Sequence, residues 1–218
     1  MDVTSCLKKY SDNYYENMFG FFGEVNAKGQ YKAEQFLKNY ALSDSTFRQE
    51  CLPVMQKVFK PFNTYDFDIR KCSFDTLFHD GFRTFFHVSS PMFTEESYLY
   101  LQKISKACGD NYFYIVEDSD DDFAFQLKIP TTTRWKKLMS GGFISSVLFH
   151  MPYNIYRIFG DSGFWGKLCN YDNPWVYYEI FGSKLDMMEV RNYHSLMKLS
   201  ENELSFLPEE IRMIAKER

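Results

Sequence analysis

The run Glu117-Asp118-Ser119-Asp120-Asp121-Asp122 is the densest group of reactive side chains in the chain; from Asp110 to Phe125 there are six acids and no base. Carboxylates at that density can chelate a hard cation or face a basic partner. A calcium loop of the EF-hand kind needs D-x-[DN]-x-[DN]-G with a Glu six residues after the Gly. Here no Gly interrupts the acids, and the apolar run Phe123 to Ile129 follows at once. No metal is therefore assigned, and the acids read as a solvated hairpin tip or as a partner contact. A second cluster, Phe159-Gly160-Asp161-Ser162-Gly163-Phe164-Trp165-Gly166, holds three glycines and predicts a tight loop that visits positive φ. The elbow of a serine hydrolase, G-x-S-x-G, would place glycines two residues either side of Ser162. Gly163 stands only one residue after it, so no catalytic serine is assigned.

Asn170-Tyr171-Asp172-Asn173-Pro174-Trp175 reads as a turn by composition. It brings Tyr171, Asp172 and Trp175 close in sequence to Asp161 and Trp165. Aromatic side chains beside acids suit a recognition surface, because they combine rigid contact area with a polar tip. The other reading is that Trp165 and Trp175 plug the end of a sheet. The four histidines, His79, His87, His150 and His194, form no HExxH pattern, and the five cysteines are widely spaced with no CxxC pair. Reduced thiols packed as small hydrophobes are expected. Arg134, Lys136 and Lys137 make a small basic face without the GxxxxGK[ST] signature of a phosphate loop. No catalytic residue, metal or cofactor follows from any of these groups.

The elements that must hold these residues can be read from periodicity. Leu7, Tyr10, Tyr14 and Met18 share a helical face, a second helix is predicted from Gln30 to Leu42, and a third after Ser43 or Asp44. Pro53 should kink that third helix or delay its start, and Pro61 should end it. Phe82 to Val88 reads as a strand, and Thr94 to Ala107 as a helix stopped by Gly109. Ser97 rather than Glu stands three residues after Thr94, so an incomplete capping box is expected there. Tyr112 to Glu117 and Phe123 to Ile129 form a predicted hairpin, the second run alternating with period two. A short helix from Thr131 to Met139 and strands at Phe143–His150, Asn154–Phe159 and Trp175–Phe181 follow. Helices at Leu185–Ser200 and Pro208–Lys216 close the chain.

That order predicts an α+β fold: a helical layer over residues 1–62, a mostly antiparallel sheet with helices over 63–182, and C-terminal helices over 183–218, all in one domain. The composition supports a sizeable core, with 45% hydrophobic residues and an aromatic fraction of 19%. A net charge of −4 argues against a nucleic-acid binder working by bulk electrostatics. No run approaches the ~18 apolar residues of a membrane span, and the first residues lack a signal-type apolar stretch. A cytoplasmic protein is the expectation.

An acidic, aromatic-rich α+β chain with the segment Phe113 to Phe181 resembles the bacterial immunity proteins of polymorphic toxins. The resemblance lies in the style of the last half of the chain and in no diagnostic motif. It implies a non-catalytic neutraliser that occludes a toxin's active site, with a protein partner, possessing a basic surface, met by Asp118, Asp120, Asp121, Asp122, Asp161, Trp165, Tyr171, Asp172 and Trp175. Two other classes stay open on the residues alone. One is a hydrolase or metal-dependent enzyme using scattered carboxylates with His150 or His194. The other is a small-molecule or carbohydrate binder with an aromatic-lined pocket.

Overall fold

The computed structural model describes residues 35–36, 38–62, 68–71, 73–89, 93–118, 126–139, 155–172 and 176–217. The predicted helix over residues 5–18, the strand-like run 143–150 and residues 119–125, which take in most of the expected acidic tip and the start of the expected second hairpin strand, lie outside them. Strands β1 (Arg83–Ser89), β2 (Tyr112–Asp118), β3 (Gln126–Pro130), β4 (Ile155–Gly160), β5 (Trp165–Asp172) and β6 (Val176–Ser183) form one sheet in the order β1-β6-β5-β4-β2-β3. Every neighbouring pair is antiparallel. The helices are α1 (Leu52–Val58), α2 (Glu95–Cys108), α3 (Met188–Met197), α4 (Glu201–Ser205) and α5 (Glu209–Glu217), with shorter helical turns between. The fold is α+β. Among the described residues no helix is long and apolar enough to cross a membrane.

Local sequence explains most of these boundaries. Ser43 caps the one-turn helix Asp44–Thr46, and the chain then widens into a π-helical turn, Phe47–Cys51, before α1. Pro53 accounts for the widening, since it has no N–H to offer the preceding turn. At α2 the capping box is complete, not partial: Ser97 Oγ accepts from the Thr94 backbone N–H at 2.9 Å while Thr94 Oγ1 accepts from Ser97 N–H at 3.1 Å. A hydroxyl at N3 does the work expected of a Glu. Gly109 then closes α2 at φ +77°. The helix expected over 131–139 shrinks to Trp135–Leu138, because the backbone at Thr131 and Thr133 is bonded to Asn111 and Tyr98 instead.

Both faces of the sheet are covered. Tyr98, Leu101 and Ile104 of α2 and Val190 and Tyr193 of α3 bury one face, against Ile115, Ile158 and Phe181. Val58 of α1, Phe59, Phe74, Phe78 and Ile211 of α5 bury the other, against Leu168 and Ile180. The C-terminal helices thus pass from one face to the other around edge strand β1. Register sorts the side chains into rows: His87, Glu179, Cys169, Tyr156 and Glu117 run across the first face, and Phe86, Ile180, Leu168, Arg157 and Val116 across the second.

Strand β5 is the element the sequence pattern hides. Its first two residues close the glycine cluster, and Asn170 to Asp172 opened the expected turn. Gly166 and Asn170 are poor strand formers, and a strand buried on both faces shows no alternation. The stretch 160–174 that the pattern left between two expected strands holds β5, in the middle of the sheet.

Candidate functional site

β5 separates the residues that the sequence places side by side. Trp165 opens the strand next to Ser183 of β6, and Asp172 ends it next to Val176. Seven residue steps at strand spacing put roughly 23 Å between them. Asp118 ends β2 beside Ile155, so the strand ends toward the Tyr171–Asp172 end of β5. Asp161 belongs to the opposite end, where its backbone N–H donates to Tyr112 O at 3.1 Å. Asp120, Asp121, Asp122 and Trp175 lie outside the described residues, as do the side chains of Asp118, Tyr171 and Asp172.

Trp165 is a core residue, 0% exposed, which corrects its reading as a contact anchor. Its indole stacks on Phe181 at 6.2 Å between ring centroids. Asp110, just after the α2 cap, receives the Trp165 Nε1–H on Oδ2 and the Ser162 N–H on Oδ1, both at 2.7 Å. Asp161 returns the favour to the other loop by accepting from Asn111 N–H at 3.1 Å. The two turns cap each other. Of the cluster's glycines only Gly163 has a positive φ, +72°. Gly160 is there for space: a Cβ would sit 2.1 Å from Asp110 Oδ2. Burial, then the neighbouring Asp110 carboxyl, raises the pKa of Asp161.

The most concentrated chemistry lies under α3, on residues of which the sequence had singled out only His194. Lys167 (β5) is 0% exposed, Glu179 (β6) 2%, His87 (β1) 2% and Tyr193 (α3) 0%. Lys167 Nζ donates to Glu179 Oε2 at 2.7 Å and to Tyr193 Oη at 3.3 Å. Glu179 Oε1 accepts from Tyr193 Oη at 2.7 Å and pairs with His87 Nδ1 at 3.0 Å. His87 Nε2 in turn meets His194 Nδ1 at 2.8 Å. Lys167 also points its ammonium at the Phe93 ring, 4.8 Å from the centroid.

Burial alone would raise the Glu179 carboxyl, but the Lys167 ammonium and the His87 contact overcome it and hold it down at about 2. Burial would likewise lower Lys167, and Glu179 reverses that, so its pKa is raised and the pair is ionised. Burial pushes the Cys169 thiol up to about 12, against the opposing pull of Lys167, and leaves it protonated. His194, half-buried, is held down to about 4 by burial first, then by His87 and Lys198.

The network runs from a sealed ion pair to one ring near the surface. A cavity of about 20 Å³ beside His87 and His194, also touched by Lys198 and Leu204, has room for about one water. A larger cavity of about 170 Å³ lies on the second face, between α1 and Arg157. Among the described residues no group of three or more His, Cys, Asp or Glu is placed to hold a metal ion. His150 lies outside them. A lone Glu inside the apolar run of β6 was the available signal, because a charge that deep in a strand requires a partner. Comparison with protein-family models, curated proteins and solved structures finds no match.

Proposed function

We propose that this is a non-catalytic interaction protein of the immunity type, which neutralises a protein toxin by covering its active site. The contact is made by Asp118, Asp120, Asp121 and Asp122 with Tyr171, Asp172 and Trp175. The observation that carries this reading is the register that brings the ends of β2 and β5 together, 54 residues apart in sequence between Asp118 and Asp172. The acids from Asp118 to Asp122, together with Asp172 and its aromatic neighbours in sequence, favour a basic partner, with carboxylates setting the on-rate and aromatic side chains the affinity. The cytoplasm is the compartment this role requires.

The test uses the purified product of the reading frame beside this one, titrated into the full chain by calorimetry. Asp120, Asp121 and Asp122 changed together to Asn should weaken binding about tenfold or more and flatten its salt dependence. Phe164→Ala, at the opposite end of the sheet and 41% exposed in the parent, should leave binding unchanged. Unaltered affinity and salt dependence in the triple variant would overturn the assignment of these acids.

A further inference from the structure

α3 is fastened to the sheet by a contact whose chemistry depends on proton count. A carboxylate only accepts hydrogen bonds, so His87 Nδ1, 3.0 Å from Glu179 Oε1, carries the proton there. The other nitrogen, Nε2, faces His194 Nδ1 at 2.8 Å, and one proton between the two rings makes that bond. With both rings neutral, His194 donates to His87; with one ring charged, the bond still holds. With both rings charged, each facing nitrogen carries a hydrogen. The bond is lost, and two cations stand with their centroids 5.1 Å apart.

We propose that the His87–His194 pair is an acid-sensitive latch, closed when at most one of the rings is charged, which releases α3 from β1 as the pH falls. The surroundings decide whether a second proton could be accommodated. From β6, Glu179 already serves Lys167, Tyr193 and His87 with its two oxygens. From β5 comes the Lys167 ammonium, and from the end of α3 come the Tyr193 hydroxyl and Lys198, another cation. The Phe85 ring of β1, 4.3 Å from His194, and the C-terminal turn of α3, in which His194 stands, favour a charged imidazole there. Burial, His87 and Lys198 outweigh them.

The sign follows from linkage. The folded-state value for His194, about 4, lies below the ordinary 6.5. Its contribution is complete above 6.5 and is lost as pH falls through that window toward 4. The ceiling between pH 7 and pH 5 is about twentyfold in the opening constant, and solvent screening of a half-buried ring reduces this to on the order of tenfold. Opening would uncover what α3 protects, the Tyr193–Phe181 contact at 5.0 Å and the Trp165 indole behind it.

Amide hydrogen exchange on the full chain at pH 7, 6 and 5, corrected for the intrinsic rate, tests the latch. Protection in α3 at Val190 to Tyr193 should fall on the order of tenfold from pH 7 to pH 5, ahead of the sheet centre at Ile158 and Leu168. His194→Asn, whose amide N–H can stand where Nδ1 does and does not titrate, should abolish that step. Protection of α3 that stays constant, or falls only in step with the sheet, overturns the proposal, as does an unchanged profile in His194→Asn. Should that variant fail to fold, the imidazole resonances of the parent decide: a His194 ring that titrates at or above 6.5 rules the latch out.

Discussion

The two faces of the sheet bury comparable rows of side chains by opposite means. On one, Phe86, Ile180 and Leu168 meet Phe59, Phe74 and Phe78 in contacts that need only shape. On the other, one residue away on each strand, His87 and Glu179 bind Lys167, Tyr193 and His194 through directional bonds. An apolar face tolerates exchange among side chains of similar volume. A buried ion pair tolerates none that removes one partner, because the survivor is left charged in a medium that cannot solvate it. The polar face is therefore the brittle one, and it is also the one that responds to pH.

Lys167→Met sharpens this contrast most. It strands Glu179 and should cost about 3–5 kcal/mol in a denaturant melt at pH 7, whereas Lys167→Met with Glu179→Gln should recover most of that loss. Leu168→Ala, in the neighbouring row, should cost about 2–5 kcal/mol. The pH profiles separate the two. In the parent, Glu179 sits at about 2 against an ordinary 4.5, so its contribution is present above 4.5 and is lost as pH falls toward 2. The Lys167→Met penalty should shrink across that range, because the stranded carboxyl can protonate, while the Leu168→Ala penalty should stay constant.

At the Trp165 end, Asp110→Ala removes the acceptor for a buried indole N–H and should cost about 1–3 kcal/mol. Asp161→Asn has the opposite expectation. The raised pKa of Asp161 means its ionised form is disfavoured on folding, so its contribution is complete below the ordinary value of 3.8 and lost as pH rises through the folded one. Replacement by Asn should raise the melting temperature at pH 7 and not at pH 3. The smallest effect belongs to Phe164→Ala, where stability should stay within about ±0.5 kcal/mol because the ring is already exposed.

The elements with local causes are legible in the residues that form them. Thr94, the acids behind it and Gly109 delimit α2; alternation at Leu127 and Ile129 sets β3 in its hairpin; and the absence of alternating βαβ units selects α+β. Each of these signals is written within a few residues of where it acts. The rest depends on how distant segments pack. Which of the two cores Trp165 enters depends on the parity of a strand whose glycine and asparagine conceal it, and its burial depends on helices covering both faces; a shift of one residue would turn that side chain to the other, equally covered face. Lys167, Glu179, His87 and His194 come from three strands and a helix, spanning 108 residues of chain from first to last. No local pattern marks them as one group, because it is the register of β1, β6 and β5 and the docking of α3 that bring their charges within bonding distance and exclude the water that would otherwise have kept them apart.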